Sequence, residues 1–186
     1  MRIGILGGSF DPIHCGHLSI AEEVRVKLHL DKVVFVPAYN SPHKNGCFLS
    51  PITRYKLIER AIKSNPFFTI SAFEIHRKDK SYTCDTLPQL EKIYKESQFY
   101  VIIGADELQQ FTKWKNYQWL LAKYKFVVVN RPKYSLTKVK KTIRERVKII
   151  KIPGINISSS KIRQRIRNGQ SIKYLVPECV EKYLFR

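Results

Sequence analysis

Two histidines bracket a glycine in His14-Cys15-Gly16-His17, shortly after the pair Gly7-Gly8 and directly before an amphipathic run that reads as a helix. The free N–H groups and positive dipole end of such a helix favour an anion, and each imidazole can add a donor. The glycine pair lets backbone come close to a ligand. The stretch Gly7-Gly8-Ser9-Phe10-Asp11-Pro12 contains neither the G-x-G-x-x-G fingerprint nor the Gly-Lys-Ser/Thr of a P-loop, so neither common phosphate cradle applies. A zinc pair would need third and fourth ligands, and Cys15 points elsewhere if the two histidines share a face. Ordinary surface positions are the bland alternative for His14 and His17. The spacing favours phosphate contact.

A second donor cluster lies near the other end of the chain. Ser158, Ser159 and Ser160 open another helical stretch, with Arg163 one turn inside it. Hydroxyls at a helix start supply caps and anion donors together, and the guanidinium adds charge. A plain capping run on a basic helix is the alternative. Lys44, in the loop after the second strand, is a flexible ammonium able to follow charge that moves during a reaction. Any of the 34 basic residues could stand on a loop for no such reason.

These groups are far apart in the chain and need a scaffold that gathers turns at one edge. Short β-branched runs alternate with helical patterns, the signature of a parallel sheet covered on both faces. Strands are expected at residues 3–6, 32–36, 68–73, 99–103, 126–129 and 147–152. Helices are expected at 17–28, 51–64, 86–95, 117–124, 136–144, 159–168 and 177–184, with Ser50-Pro51 as N-cap and first helical position and Gly169 as a stop. The expected fold is α/β: a Rossmann-like, doubly wound, mostly parallel sheet with helices on both faces and a C-terminal helical segment, forming one domain over residues 1–186. Such a sheet binds ligands outside the carboxyl ends of its strands, near the point where strand order reverses.

Composition narrows the classes. With 44% hydrophobic and 12% aromatic residues the chain is not disordered, and its apolar runs are far too short to span a bilayer. The N-terminus is a poor secretory signal, and Cys15, Cys47, Cys84 and Cys179 are scattered without a C-x-x-C pair, so the expected location is cytoplasmic with reduced thiols. The net charge of +19 attracts polyanions whatever the fold. Because the lysines are dispersed and form no long basic block, solvated faces explain the excess better than a nucleic-acid arm, and no nucleic-acid or membrane partner is expected.

The motifs resemble those of the nucleotidyltransferases whose signature is His-x-Gly-His after the first strand. Gly-Gly-Ser/Thr-Phe-Asp-Pro followed by His-x-Gly-His-Leu runs from Gly7 to Leu18 without a gap, and the C-terminal motif Ile-Ser-Ser-Thr-x-Ile-Arg appears as residues 157–163. Within that superfamily the chain looks most like the bacterial nicotinate-mononucleotide adenylyltransferases. Residues 37–44 resemble that family's Pro-x-x-x-Pro-Pro-His-Lys loop, residues 81–87 its Ser-Tyr-Thr-x-Asp-Thr-Leu stretch, and residues 103–106 its Gly-Ala-Asp turn, followed by Trp114. The likeness covers nearly the whole chain. Ser41 departs from the usual proline, Ser160 from the usual threonine, and Lys133 from the glycine common after Arg131-Pro132. The last of these bears on the turn after the fifth strand.

The resemblance implies transfer of the adenylyl group of ATP to nicotinate mononucleotide, as part of NAD biosynthesis. It implies that Gly7, Gly8, Ser9, Phe10, His14, His17, Gly104, Asp106, Ser158, Ser159, Ser160 and Arg163 meet ATP. His17, His14, Lys44 and Arg163 would carry catalysis. Lys44, Thr83 and Trp114 would meet the mononucleotide, Thr83 near its carboxylate and Trp114 stacked on the pyridine ring; a core or rim position is the alternative for Trp114 and the better one for Trp119. Mg²⁺ is expected to ride on the ATP phosphates and water, with no protein metal site. A phosphopantetheine adenylyltransferase is the nearest rival, and a homo-oligomer remains open.

Overall fold

The structure, a computed structural model, describes residues 1–42, 46–130, 136–152 and 157–185. Lys44 and Lys133 lie outside the described residues, as do His43 and the Arg131-Pro132 pair. Six strands form one sheet in the order β3-β2-β1-β4-β5-β6: β1 (Arg2–Gly8), β2 (Lys32–Pro37), β3 (Phe68–Ile70), β4 (Gln98–Gly104), β5 (Lys125–Val129) and β6 (Val147–Ile150). Every pairing between these strands is parallel, so the sheet is fully rather than mostly parallel. The order reverses between β1 and β4, which places a crevice beyond Gly8 and Gly104.

The strands are apolar on both faces because both faces are covered. Ile3, Ile5, Val34, Val36, Val101, Ile103, Phe126 and Val128 point one way, against α4 (Thr83–Ile93), α5 (Ala105–Gln109), α6 (Tyr117–Lys123) and α7 (Lys141–Arg144). Leu6, Val33, Phe35, Ile102, Val127 and Val129 point the other way, against α1 (Cys15–Leu28), α2 (Pro51–Ile62), α8 (Ser159–Arg167) and α9 (Glu178–Leu184). This period of two follows from strand geometry and builds two cores from one sheet.

Several boundaries differ from the sequence reading. The third strand stops at Ile70, and a short α3 (Phe73–Arg77) begins where the strand was expected to continue, with the Phe73 N–H capped by the Ser71 hydroxyl at 3.3 Å. α1 starts at Cys15 because the His14 side chain caps it. α4 starts at Thr83, since the N–H groups of Asp85 and Thr86 both reach the Tyr82 carbonyl. The helix expected over residues 136–144 divides into a 3-10 turn, Leu136–Lys138, and α7, with Lys140 extended between them. β-Branched Thr137 and Val139 and the clustered lysines oppose one continuous helix there.

Candidate active site

A cleft of about 840 Å³ opens at the carboxyl ends of β1 and β4, within the size range of small-molecule sites. Its wall contains every sequence-predicted site residue among those described: Gly7, Gly8, Ser9, Phe10, His14, His17, Thr83, Gly104, Asp106, Trp114, Ser158, Ser159, Ser160 and Arg163.

The histidine pair is built by helix capping. His14 is the N-cap of α1, and its Nδ1 accepts the His17 backbone N–H at 3.3 Å, while the His17 Nδ1 accepts the His14 N–H at 3.3 Å. The rings stack with centroids 3.6 Å apart. A ring nitrogen that accepts an N–H carries no proton, so each neutral imidazole holds its hydrogen on Nε2 and is a donor on that edge. Gly16 is where it is because a Cβ there would come within 3.1 Å of His14 Cε1 and Nδ1. His14 is buried, whereas His17 is partly open to the cleft.

The Phe10 ring braces His17 edge-on at 4.9 Å and meets Phe35 at 5.8 Å. Its backbone is left-handed, with φ 47°, a conformation costing a non-glycine residue on the order of 1 kcal/mol and held here by the buried ring. A side chain at Gly8 would press on that ring at 3.3 Å, while one at Gly7 would stand in open space, leaving Gly7 backbone bare toward the cleft.

α8 meets the histidines' loop on the same wall. Ser158 caps it by accepting the Lys161 N–H at 3.3 Å, and the Ser159 hydroxyl donates to the Pro12 carbonyl at 3.0 Å. What Ser159 retains for an anion is therefore its first-turn N–H, which no helical carbonyl can take. Arg163 donates to the Asp11 carbonyl at 2.7 Å and to the Ser160 hydroxyl at 3.2 Å, and it stands 3.7 Å from the Asp11 carboxylate. A guanidinium has more N–H groups than these bonds use, and the rest lie beside the histidines' loop.

Sequence reasoning missed the residues that hold these turns. The buried Asp11 carboxylate accepts the N–H groups of Phe48 and Leu49 at 2.7 and 2.8 Å. Arg54 on α2 is fully buried and donates to the carbonyls of Ser9, Tyr39 and Leu49 at 2.5, 3.1 and 3.3 Å; burial lowers its pKa. The sequence did carry a sign of it, since Arg54 shares the i, i+3, i+4 stripe with Leu57 and Ile58. Buried Glu74 accepts from the Thr86 hydroxyl at 2.6 Å and is bonded to Ser81, whose hydroxyl accepts the Tyr39 N–H at 3.0 Å. Burial pushes the Glu74 carboxyl above the ordinary glutamate value, against those bonds. No motif announced Glu74.

Trp114 packs one flank on Phe111 at 5.2 Å and lines the cleft. Trp119 is 42% exposed on α6, against Tyr124 and away from the cleft wall, so it is a rim aromatic and no part of the core. Lys115 also lines the cleft; its Nζ is 3.2 and 3.1 Å from the two Asp85 oxygens. Among the described residues no group of His, Cys, Asp and Glu could hold a metal ion, and no helix is long and apolar enough to cross a membrane.

An all-parallel sheet of this strand order, with a capped histidine pair in a cleft at its switch point, is a Rossmann-like α/β domain whose ligand site lies at the carboxyl ends of β1 and β4. Residues 5–165 match the cytidylyltransferase-like family, and the chain belongs to it. A protein of Desulfitobacterium hafniense (strain Y51) named "Probable nicotinate-nucleotide adenylyltransferase" is 40% identical over 98% of this chain and 92% of its own length. One of the same name from Thermoanaerobacter sp. (strain X514) is 42% identical over 99% and 92%. The fold resembles that of Plasmodium falciparum nicotinic acid mononucleotide adenylyltransferase complexed with NaAD, with a TM-score of 0.82 at 18% identity, covering 99% of this chain and 94% of that one.

Proposed function

We propose that this chain transfers the adenylyl group of ATP to nicotinate mononucleotide, giving nicotinate adenine dinucleotide and pyrophosphate. The mononucleotide's phosphate oxygen forms a bond to the α-phosphorus of ATP, and the bond from that phosphorus to the β-phosphate bridging oxygen breaks in line. The attacking group is already an anion, so the protein need supply neither a nucleophile nor a strong base. Its task is to bring anions together and neutralise charge on the departing oxygens.

The observation that carries this reading is the capped pair His14 and His17 sharing one cleft wall with Arg163. His17, the more open of the two, is the principal donor to the α-phosphate, and His14 aligns it. Arg163 and the first-turn N–H groups of α8 take the triphosphate, with Gly7, Gly8, Ser9 and Phe10 letting it approach. Gly104 and Asp106 line the nucleotide site. Lys44 follows the reacting phosphates from its loop. Thr83, at the start of α4, meets the pyridine carboxylate, and Trp114 stacks on the ring. Mg²⁺ carried on ATP would be held by phosphate and water and would supply further charge neutralisation. The cleft lining joins His14, His17, Lys115 and Arg163 with the carboxylates of Asp11, Glu74, Asp106 and Glu107, and an ion carried on the phosphates asks none of them for a ligand. The free thiols of all four cysteines support a cytoplasmic location.

The test is incubation with ATP, Mg²⁺ and either nicotinate or nicotinamide mononucleotide, with the dinucleotide identified by mass. Formation of nicotinate adenine dinucleotide is expected. Pyrophosphate release that ignores the mononucleotide would overturn the reading.

A further inference from the structure

We propose that the Lys115–Asp85 ion pair sets the preference for a pyridine carboxylate over its amide, an inference that rests on the mononucleotide reading above. Lys115 follows Trp114 directly and lines the cleft, whereas Asp85 is not among the lining residues. The Lys115 ammonium lies 3.1 Å from Asp85 Oδ2 and 4.8 Å from the centre of the Tyr82 ring, so it is fixed from two sides. Asp85 is in the first turn of α4, within two residues of Thr83.

A ligand carboxylate at the start of α4 thus comes within about one helical turn of a fixed protein carboxylate. Two like charges at that spacing, partly open to water, repel enough to weaken binding by a few-fold to about tenfold. Lys115, standing on the cleft side of Asp85, cancels this repulsion and turns the lip from acidic to neutral. The nicotinamide ring of the mononucleotide bears the same pyridinium charge as the nicotinate ring but no carboxylate, so the pair's action on the ring nitrogen is common to both and the difference between them is that of the carboxylate alone. Selectivity at this position is therefore removal of a penalty against the acid and needs no new bond to it. Both side chains are partly solvent-exposed, so salt should screen the effect.

The experiment uses the full chain with ATP and Mg²⁺, comparing kcat/KM for the two mononucleotides in wild type, Lys115→Met, Lys115→Gln and the double variant Lys115→Met with Asp85→Asn. Either single variant is expected to lower the acid-to-amide ratio about tenfold, the ratio cancelling the pyridinium charge that both substrates share. The double variant is expected to return the ratio to within about threefold of wild type, because the uncompensated charge is gone. Added salt should shrink the deficit of the single variants. An unchanged ratio in both single variants, or a ratio that stays low in the double variant, overturns the proposal. A wild type that forms neither dinucleotide sinks the underlying function instead, so the two failures are distinct.

Discussion

The His14 and His17 rings lie 3.6 Å apart, and each takes the other's backbone N–H on Nδ1. One reciprocal arrangement thereby does two jobs. It closes orphan donors at the start of α1 and fixes on which nitrogen each ring keeps its proton. A first-turn cap and a pair of oriented donors are the same object, so a substitution can be chosen to separate them.

His17→Ala removes both cap acceptor and donor and should lower turnover by about three powers of ten or more, in line with losing a preorganised donor. His17→Asn is the sharper variant. Its Oδ1 overlays Nδ1 and keeps the His14 N–H satisfied, while Nε2 is lost. Thermal melting close to wild type with turnover near that of the alanine variant is expected; near-normal steady-state turnover would remove His17 from the chemistry.

Gly16→Ala adds a methyl 3.1 Å from the His14 ring and 3.6 Å from Ile157 Cβ. Alanine is the better helix former, so melting should hold or rise slightly. The imidazole must nonetheless shift by a few tenths of an ångström, and kcat should fall about tenfold. Stability and activity moving in opposite directions is the signature to look for.

Glu74 gives a pH prediction. Burial raises its native pKa above the ordinary value, so over the interval between the two the native state holds more proton than the unfolded state. Stability then falls as pH rises through that interval. Glutamine keeps hydrogen-bonding capacity toward Thr86 and Ser81 without the charge. The melting temperature of Glu74→Gln relative to wild type should therefore climb as pH rises from the ordinary glutamate value through the raised native one. A difference that is flat with pH would show that Glu74 carries no burial penalty.

Trp114→Ala should raise KM for the mononucleotide about tenfold while KM for ATP changes little, since a stacking platform is worth roughly 1 to 3 kcal/mol per ring. An effect confined to ATP would return Trp114 to a purely structural part, packed on Phe111 and Phe126.

The sheet was legible because its signal is dense: runs such as Val33 to Val36 and Val127 to Val129 are buried on both faces and leave little alternative to a covered parallel strand. The walls of the cleft were legible through motif spacing. What escaped has few residues or depends on partners distant in sequence. α3 and α5 are each five residues long, too short for periodicity to register. The bonds of Arg54 to Ser9 and Tyr39 depend on where the loops after β1 and β2 end up, and nothing local encodes that. Lys115 carries no local mark among the dispersed lysines, because its partner Asp85 stands thirty positions earlier.

The anchoring of α8 has a consequence for synthesis. Ser159 reaches back 147 positions to Pro12, and Arg163 reaches back 152 to Asp11. A nascent chain leaving the ribosome can complete the whole β-layer and still lack one side of its catalytic chamber. The wall that α8 supplies is therefore joined to the first turn of the fold only in the final stretch of translation.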